Sequence, residues 1–94
     1  LFDRMKSIRE PDGSTLLDNS MILMGAAIGD GNEHDASHLP TLLAGRGAGT
    51  INTGRYIEHS EPTDLASIHV SLAQRMGVKI DRLGTADSAY EGLI

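Results

Sequence analysis

The stretch Met24-Gly-Ala-Ala-Ile-Gly-Asp30-Gly-Asn32-Glu-His34-Asp35-Ala-Ser-His38-Leu-Pro40-Thr-Leu-Leu-Ala-Gly45 decides how this chain is read. Ser20-Met-Ile-Leu-Met24, which leads into it, is too short for an ordinary helix and suits a buried strand. Thr41-Leu-Leu-Ala44 at its far end is a second short apolar run, again strand-like. Between the two runs lie glycines at 25, 29 and 31 and the polar residues Asp30, Asn32, His34, Asp35 and His38. α/β proteins place their chemistry at the ends of a sheet, on polar residues between short core strands. The stretch marks where a site belongs and leaves the reaction unspecified.

Toward the N-terminus, residues 1–9 read as helix, with apolar residues at 1, 2, 5 and 8. Glu10-Pro11-Asp12-Gly13-Ser14 is a turn, because Pro fixes φ and Gly supplies a positive one. Asp18-Asn19 is a second break after Leu16 and Leu17. Toward the C-terminus, Gly45-Arg46-Gly47-Ala48-Gly49 reads as a glycine turn. It lacks a Walker A lysine, and no clear helix follows Gly49, so a phosphate loop is not indicated. Thr50 to His59 is expected to be extended. Ser60-Glu61-Pro62-Thr63-Asp64 starts a helix whose apolar face would be Leu65, Ile68, His69, Leu72, Ala73 and Met76, closed by Gly77. Val78-Lys-Ile80 suggests a short extended piece, and Gly84 to Ile94 has no periodicity. This order predicts an α/β fold, a fragment of a larger αβα layered fold with short core strands and a C-terminal amphipathic helix. Residues 1–94 would form a single C-terminal piece of that larger domain. A helical pattern that begins at Leu1 carries the same expectation.

Composition narrows the classes of function. The chain has 94 residues and a formal net charge of −5, and it has no Lys/Arg run. The electrostatic case for nucleic acid is therefore absent. No apolar stretch is long enough for a membrane span. Without cysteine there is neither disulfide nor thiolate chemistry. Compartment stays open; an exported or periplasmic protein would need a signal peptide upstream of Leu1. Aromatic residues make up only 3%, so a core of Leu, Ile, Met and Ala is marginal at this length. The remainder of its own polypeptide, or self-association of the fragment through uncovered apolar surface, is expected to complete it.

Several ordered motifs resemble a known family. Asp30-Gly31-Asn32-x-His34 followed by Leu39-Pro40-x-Leu42-Leu43-Ala44-Gly45 is similar to the C-terminal end of the HXXSHH domain family, a domain of unknown function. Leu16-Leu17-Asp18-Asn19-Ser20, the glycine turn, Thr53-Gly54-Arg55-Tyr56 and Arg75-Met76-Gly77-Val78 match in order, so the resemblance covers about residues 12 to 94. The family is distantly similar to the alkaline-phosphatase and sulfatase superfamily, in which a ligand His precedes an apolar strand in a His-x5-Pro arrangement. The resemblance implies a metal-dependent phosphate- or sulfate-ester hydrolase when the protein is full length, with an anionic small-molecule substrate. Its divalent metal, zinc or manganese, would polarise the ester. That superfamily also holds metal with an Asp-His pair at the end of a preceding strand. The corresponding place here is Ala26-Ala27, which cannot coordinate. The alternative is a non-catalytic binding or interaction domain on a degenerate hydrolase scaffold. His34-Asp35-Ala36-Ser37-His38 fits the first five letters of the family's name motif, but Leu39 replaces the last His.

His34 and Asp30 are the candidate metal ligands, since imidazole and carboxylate are ordinary zinc and manganese donors. Asp30 and Asn32 equally suit a turn shaped by side-chain hydrogen bonds to the backbone. Asn32 and Arg55 are the candidate substrate-binding residues, Arg55 through its planar fork, with a surface ion pair as its alternative. His38 would share a helical face with His34, but Pro40 opposes a helix there. Asp35 is either a carboxylate that orients a ligating His or a solvated one. His59 and His69 read as structural. No serine lies in a GxSxG context, so no catalytic nucleophile is assigned.

Overall fold

The computed structural model describes residues 1–35 and 37–94. It contains two helices and one two-stranded antiparallel sheet, a mixed α and β composition. The chain divides into two compact units, Leu1–Arg46 and Gly47–Ile94.

The first unit opens with helix α1, Phe2–Ser7. It stops at Ile8, whose backbone is extended. A tight turn follows in which the Glu10 N–H donates to the Ser14 carbonyl at 2.8 Å and Asp12 Oδ1 accepts the Ser14 N–H at 3.0 Å. A second turn is closed reciprocally. The Thr15 N–H donates to Asp18 Oδ2 at 2.9 Å, and the Asp18 N–H donates to Thr15 Oγ1 at 3.1 Å. These Asp-centred turns satisfy backbone amides that no sheet or helix takes up.

Strands β1, Ile22–Gly25, and β2, Thr41–Ala44, pair antiparallel with Ile22 opposite Ala44 and Gly25 opposite Thr41. The pleat puts Ile22, Met24, Leu42 and Ala44 on one face and Leu23 and Leu43 on the other. Both apolar runs are thus strands, but neither is fully buried; Met24 is 58% and Leu42 49% exposed. Two strands alone form a narrow ribbon, and a ribbon of four residues per strand covers little of its own apolar surface.

Gly45 ends β2 with φ +95° and is buried. A Cβ at this position would strike the Ser20 carbonyl and stand 3.1 Å from the Leu17 carbonyl oxygen. The Arg46 N–H then reaches the Leu17 carbonyl at 3.4 Å. The exit of β2 is therefore pressed against the turn that feeds β1. Only glycine meets both the left-handed backbone and the close approach.

The second unit begins with a left-handed turn, Gly47–Gly49, in which Ala48 takes φ 58° and ψ 36°. The Thr50 hydroxyl closes it by donating to the Gly47 carbonyl at 2.7 Å. The segment Thr50 to His59, expected to be extended, forms no strand. Helix α2, Ala66–Arg75, follows. Asp64 Oδ1 accepts the Ala66 N–H at 3.0 Å and so satisfies one of the free amides of the first turn. The last turn closes with the Gly77 N–H on the Gln74 carbonyl and the Val78 N–H on the Ala73 carbonyl, each at 3.0 Å. With Gly77 at φ +88°, this is a Schellman motif, and Gly77 is its C′ residue.

The buried line of α2 is Ser67, Val70 and Ser71. It lies on the side opposite the apolar stripe that spacing picks out. Leu65, Ile68, Leu72 and Ala73 are half-buried, while His69 and Met76 are exposed. The small side chain at 67 lets the C-terminal segment come in close, where the Tyr90 N–H donates to the Ser67 carbonyl at 3.0 Å, and Ser71 is covered by the Arg75 guanidinium. Ile51, Val70, Ala86 and Leu93 form the buried apolar centre of this unit.

Substituting Gly45→Ala should destabilise the first unit by about 2–4 kcal/mol, combining left-handed strain with a backbone collision. Gly13→Ala, also at positive φ but with open space around it, should cost about 1 kcal/mol. Urea denaturation of the two variants checks the order; equal losses would remove the close approach as a cause.

Candidate functional site

The loop between β1 and β2 is built on two aspartates. The Gly29 N–H donates to the Asp35 carbonyl at 2.7 Å, and the Asp35 N–H donates to the Asp30 carbonyl at 3.2 Å. These bonds bring residues 30 and 35 side by side as an antiparallel bridge. Gly31 to His34 form the tip. Asp30 Oδ1 accepts the Asn32 N–H at 2.9 Å and the Glu33 N–H at 3.3 Å, so one carboxylate oxygen organises the tip. His34 leaves the turn with φ 54°, a left-handed conformation that His adopts more readily than most residues.

The returning arm repeats the device. The Ser37 N–H donates to Asp35 Oδ1 at 2.8 Å, and the Ser37 hydroxyl donates to the same oxygen at 2.7 Å. These bonds hold the exposed Asp35 carboxyl below its usual value of 3.8, the hydroxyl contributing most. The His38 Nδ1 lies 3.1 Å from the Ser37 Oγ. At the neck, a Cβ on Gly29 would come within 2.5 Å of the Ser37 carbonyl oxygen.

Asp30, Asn32 and His34 therefore lie in one exposed turn. Asp30 and Asp35 hold the loop's shape, and His38 is drawn into the second of these turns. Among the described residues, the side chains of Asn32 and His34 have no hydrogen-bond partner, nor has Asp30 Oδ2. The tip carries the His34 imidazole, the second Asp30 carboxylate oxygen and the exposed Glu33 carboxylate. A protein-bound zinc takes three or four protein ligands. No group of three His, Cys, Asp or Glu side chains positioned to hold a metal ion occurs among the described residues. The donors present do not complete a metal site by themselves.

Arg55 belongs to the second unit, and its guanidinium is occupied. Nε donates to the Asn52 carbonyl at 2.9 Å and Nη2 to the Gly92 carbonyl at 2.6 Å. The side chain thus ties its own segment to the Gly92 backbone, 37 residues away in sequence.

The second unit also holds a feature that spacing did not reveal, an open hollow of about 280 Å³ whose lining includes Asp64, Ser67, Thr85, Asp87, Tyr90 and Glu91. Thr85 donates its hydroxyl to Asp64 Oδ2. The exposed Asp64 carboxyl is held below 3.8 by the Thr85 hydroxyl first and the Ala66 amide second. Tyr90 Oη lies 3.1 Å from His59 Nε2, and the two rings meet edge-on at 5.5 Å. These partners are 21 and 31 residues apart, so no local motif joins them. Every buried side-chain polar atom among the described residues has a partner. No helix among the described residues is long and apolar enough to cross a membrane. Comparison with known protein families, curated proteins and solved structures finds no match.

The sign of the Asp64 effect is fixed by its lowered pKa. Its contribution to stability is complete above 3.8 and is lost as pH falls below 3.8 through the folded value. Asp64→Asn should flatten this part of the acid unfolding curve of the second unit. Identical acid limbs for wild type and variant, followed by the amides of α2, would contradict it.

Proposed function

We propose that the loop between β1 and β2 is one wall of an alkaline-phosphatase-like site, and that the full-length protein is a metal-dependent phosphate- or sulfate-ester hydrolase. The observation that carries this reading is the division of labour at the loop tip. One oxygen of Asp30 fixes the turn, while the His34 imidazole and the second Asp30 oxygen are left unengaged among the described residues. An exposed imidazole beside an unengaged carboxylate oxygen is the donor pair that a metal site would use. The remaining donors would come from elsewhere in the same polypeptide, because no three such side chains among the described residues are positioned to hold a metal ion. Asn32, on the same tip, would contact the anionic substrate. The two strands would then belong to the larger αβα layered sheet, whose further strands would cover Met24 and Leu42.

Ala26-Ala27 favours a second reading, a non-catalytic binding domain on the same scaffold. Metal content of the full-length protein, purified without chelator, separates the two. The hydrolase reading expects stoichiometric metal in wild type, its loss in His34→Ala and weaker retention in Asp30→Asn. Asparagine keeps the turn-forming acceptor but removes the charge. Metal absent from all three proteins would overturn the hydrolase reading and leave the binding domain.

A further inference from the structure

We propose that Arg55 is the buckle of a C-terminal strap, and that an oxyanion and the strap compete for its guanidinium. The inference rests on the reading of this protein as one that handles phosphate or sulfate groups. The strap is Tyr90 to Leu93, and two backbone hydrogen bonds and one from the Arg55 side chain lay it down. The Tyr90 N–H donates to the Ser67 carbonyl at 3.0 Å, the Asn52 N–H donates to the Leu93 carbonyl at 2.8 Å, and Arg55 Nη2 donates to the Gly92 carbonyl at 2.6 Å. Leu93 is buried at 6% exposure, alongside Ile51 at 4% in the same apolar centre. Tyr90 reaches His59 at the far end of the irregular segment that carries Asn52 and Arg55. That segment has no strand or helix of its own, so its long-range order comes from the strap and from Arg75 on Thr50.

The competition follows from which donors are used. A guanidinium recognises a tetrahedral oxyanion through two parallel N–H groups, and the Nε–Nη2 edge is one of the two faces that can do this. Here Nε is on the Asn52 carbonyl and Nη2 on the Gly92 carbonyl. Arg55 is exposed, so an anion has access to it. A phosphate that takes this edge displaces the Gly92 carbonyl and loosens the strap. The released strap exposes Leu93 and opens the wall of the hollow that Tyr90 and Glu91 line.

The test is amide hydrogen exchange on the full chain, titrated with inorganic phosphate at constant ionic strength, with Arg55 side-chain resonances followed in parallel. The account expects the Asn52 and Tyr90 amides to exchange several-fold faster as phosphate rises, while the amides inside α2 stay unchanged. In Arg55→Ala the Asn52 and Tyr90 amides should already exchange fast without phosphate and not respond to it. If that variant fails to fold, the wild-type titration decides alone. A phosphate-dependent shift of Arg55 with no change at Asn52 and Tyr90 would overturn the competition and leave anion binding standing. No response of Arg55 to phosphate would overturn both the competition and the role of Arg55 in anion binding.

Discussion

The Ser20 carbonyl occupies the space that any side chain at position 45 would need. This contact governs the first unit. It fixes where β2 ends relative to the turn before β1, and so it fixes the register in which Ile22 faces Ala44 and Gly25 faces Thr41. That register sets the mouth from which the long loop departs. A slip of β2 by one residue would move Leu42 and Leu43 to opposite faces of the ribbon and shift the loop's base. Four residue pairs are too few to hold a register alone, so the close approach at Gly45 does what a longer sheet would otherwise do.

Within the loop, shape comes from carboxylates and not from packing. Asp30 and Asp35 each take up backbone amides that would otherwise be left to water, and the two turns meet at the 30–35 bridge. Such a loop keeps its form without a core beneath it. This matters because its residues are exposed. The second unit works the opposite way. Its irregular segment is held by distant partners, with Arg75 on Thr50, Arg55 on Gly92 and Leu93 in the apolar centre. The loop of the first unit is ordered by local hydrogen bonds, and the irregular segment of the second by contacts far apart in sequence.

This contrast explains what could be read from the sequence. The two short strands, the polar loop between them, the α2 helix and the helix-ending Gly77 all rest on local signals, and each is found where the pattern puts it. The turn shaped by Asp30 was also legible, because side-chain hydrogen bonds from an aspartate to the next amides are local. What escaped depends on long-range contacts. Spacing gave the apolar stripe of α2, but the covered face is Ser67, Val70 and Ser71, because the small Ser67 admits the C-terminal segment and the Arg75 guanidinium covers Ser71. Arg55 carries a fork suited to anions, yet its partners are two carbonyls that no local pattern announces. The hollow beside Asp64 and Thr85 was invisible for the same reason.

The central claim is that Asp30 shapes the loop tip through its side-chain oxygen and thereby presents Asn32 and His34. Solution NMR of the tip in Asp30→Asn and Asp30→Ala tests it most directly. The account predicts that Asn keeps the wild-type amide shifts of Asn32 and Glu33 and the positive-φ coupling of His34, while Ala loses all three. An Ala variant with an unchanged tip would contradict the account and show that the loop is held by something other than this carboxylate.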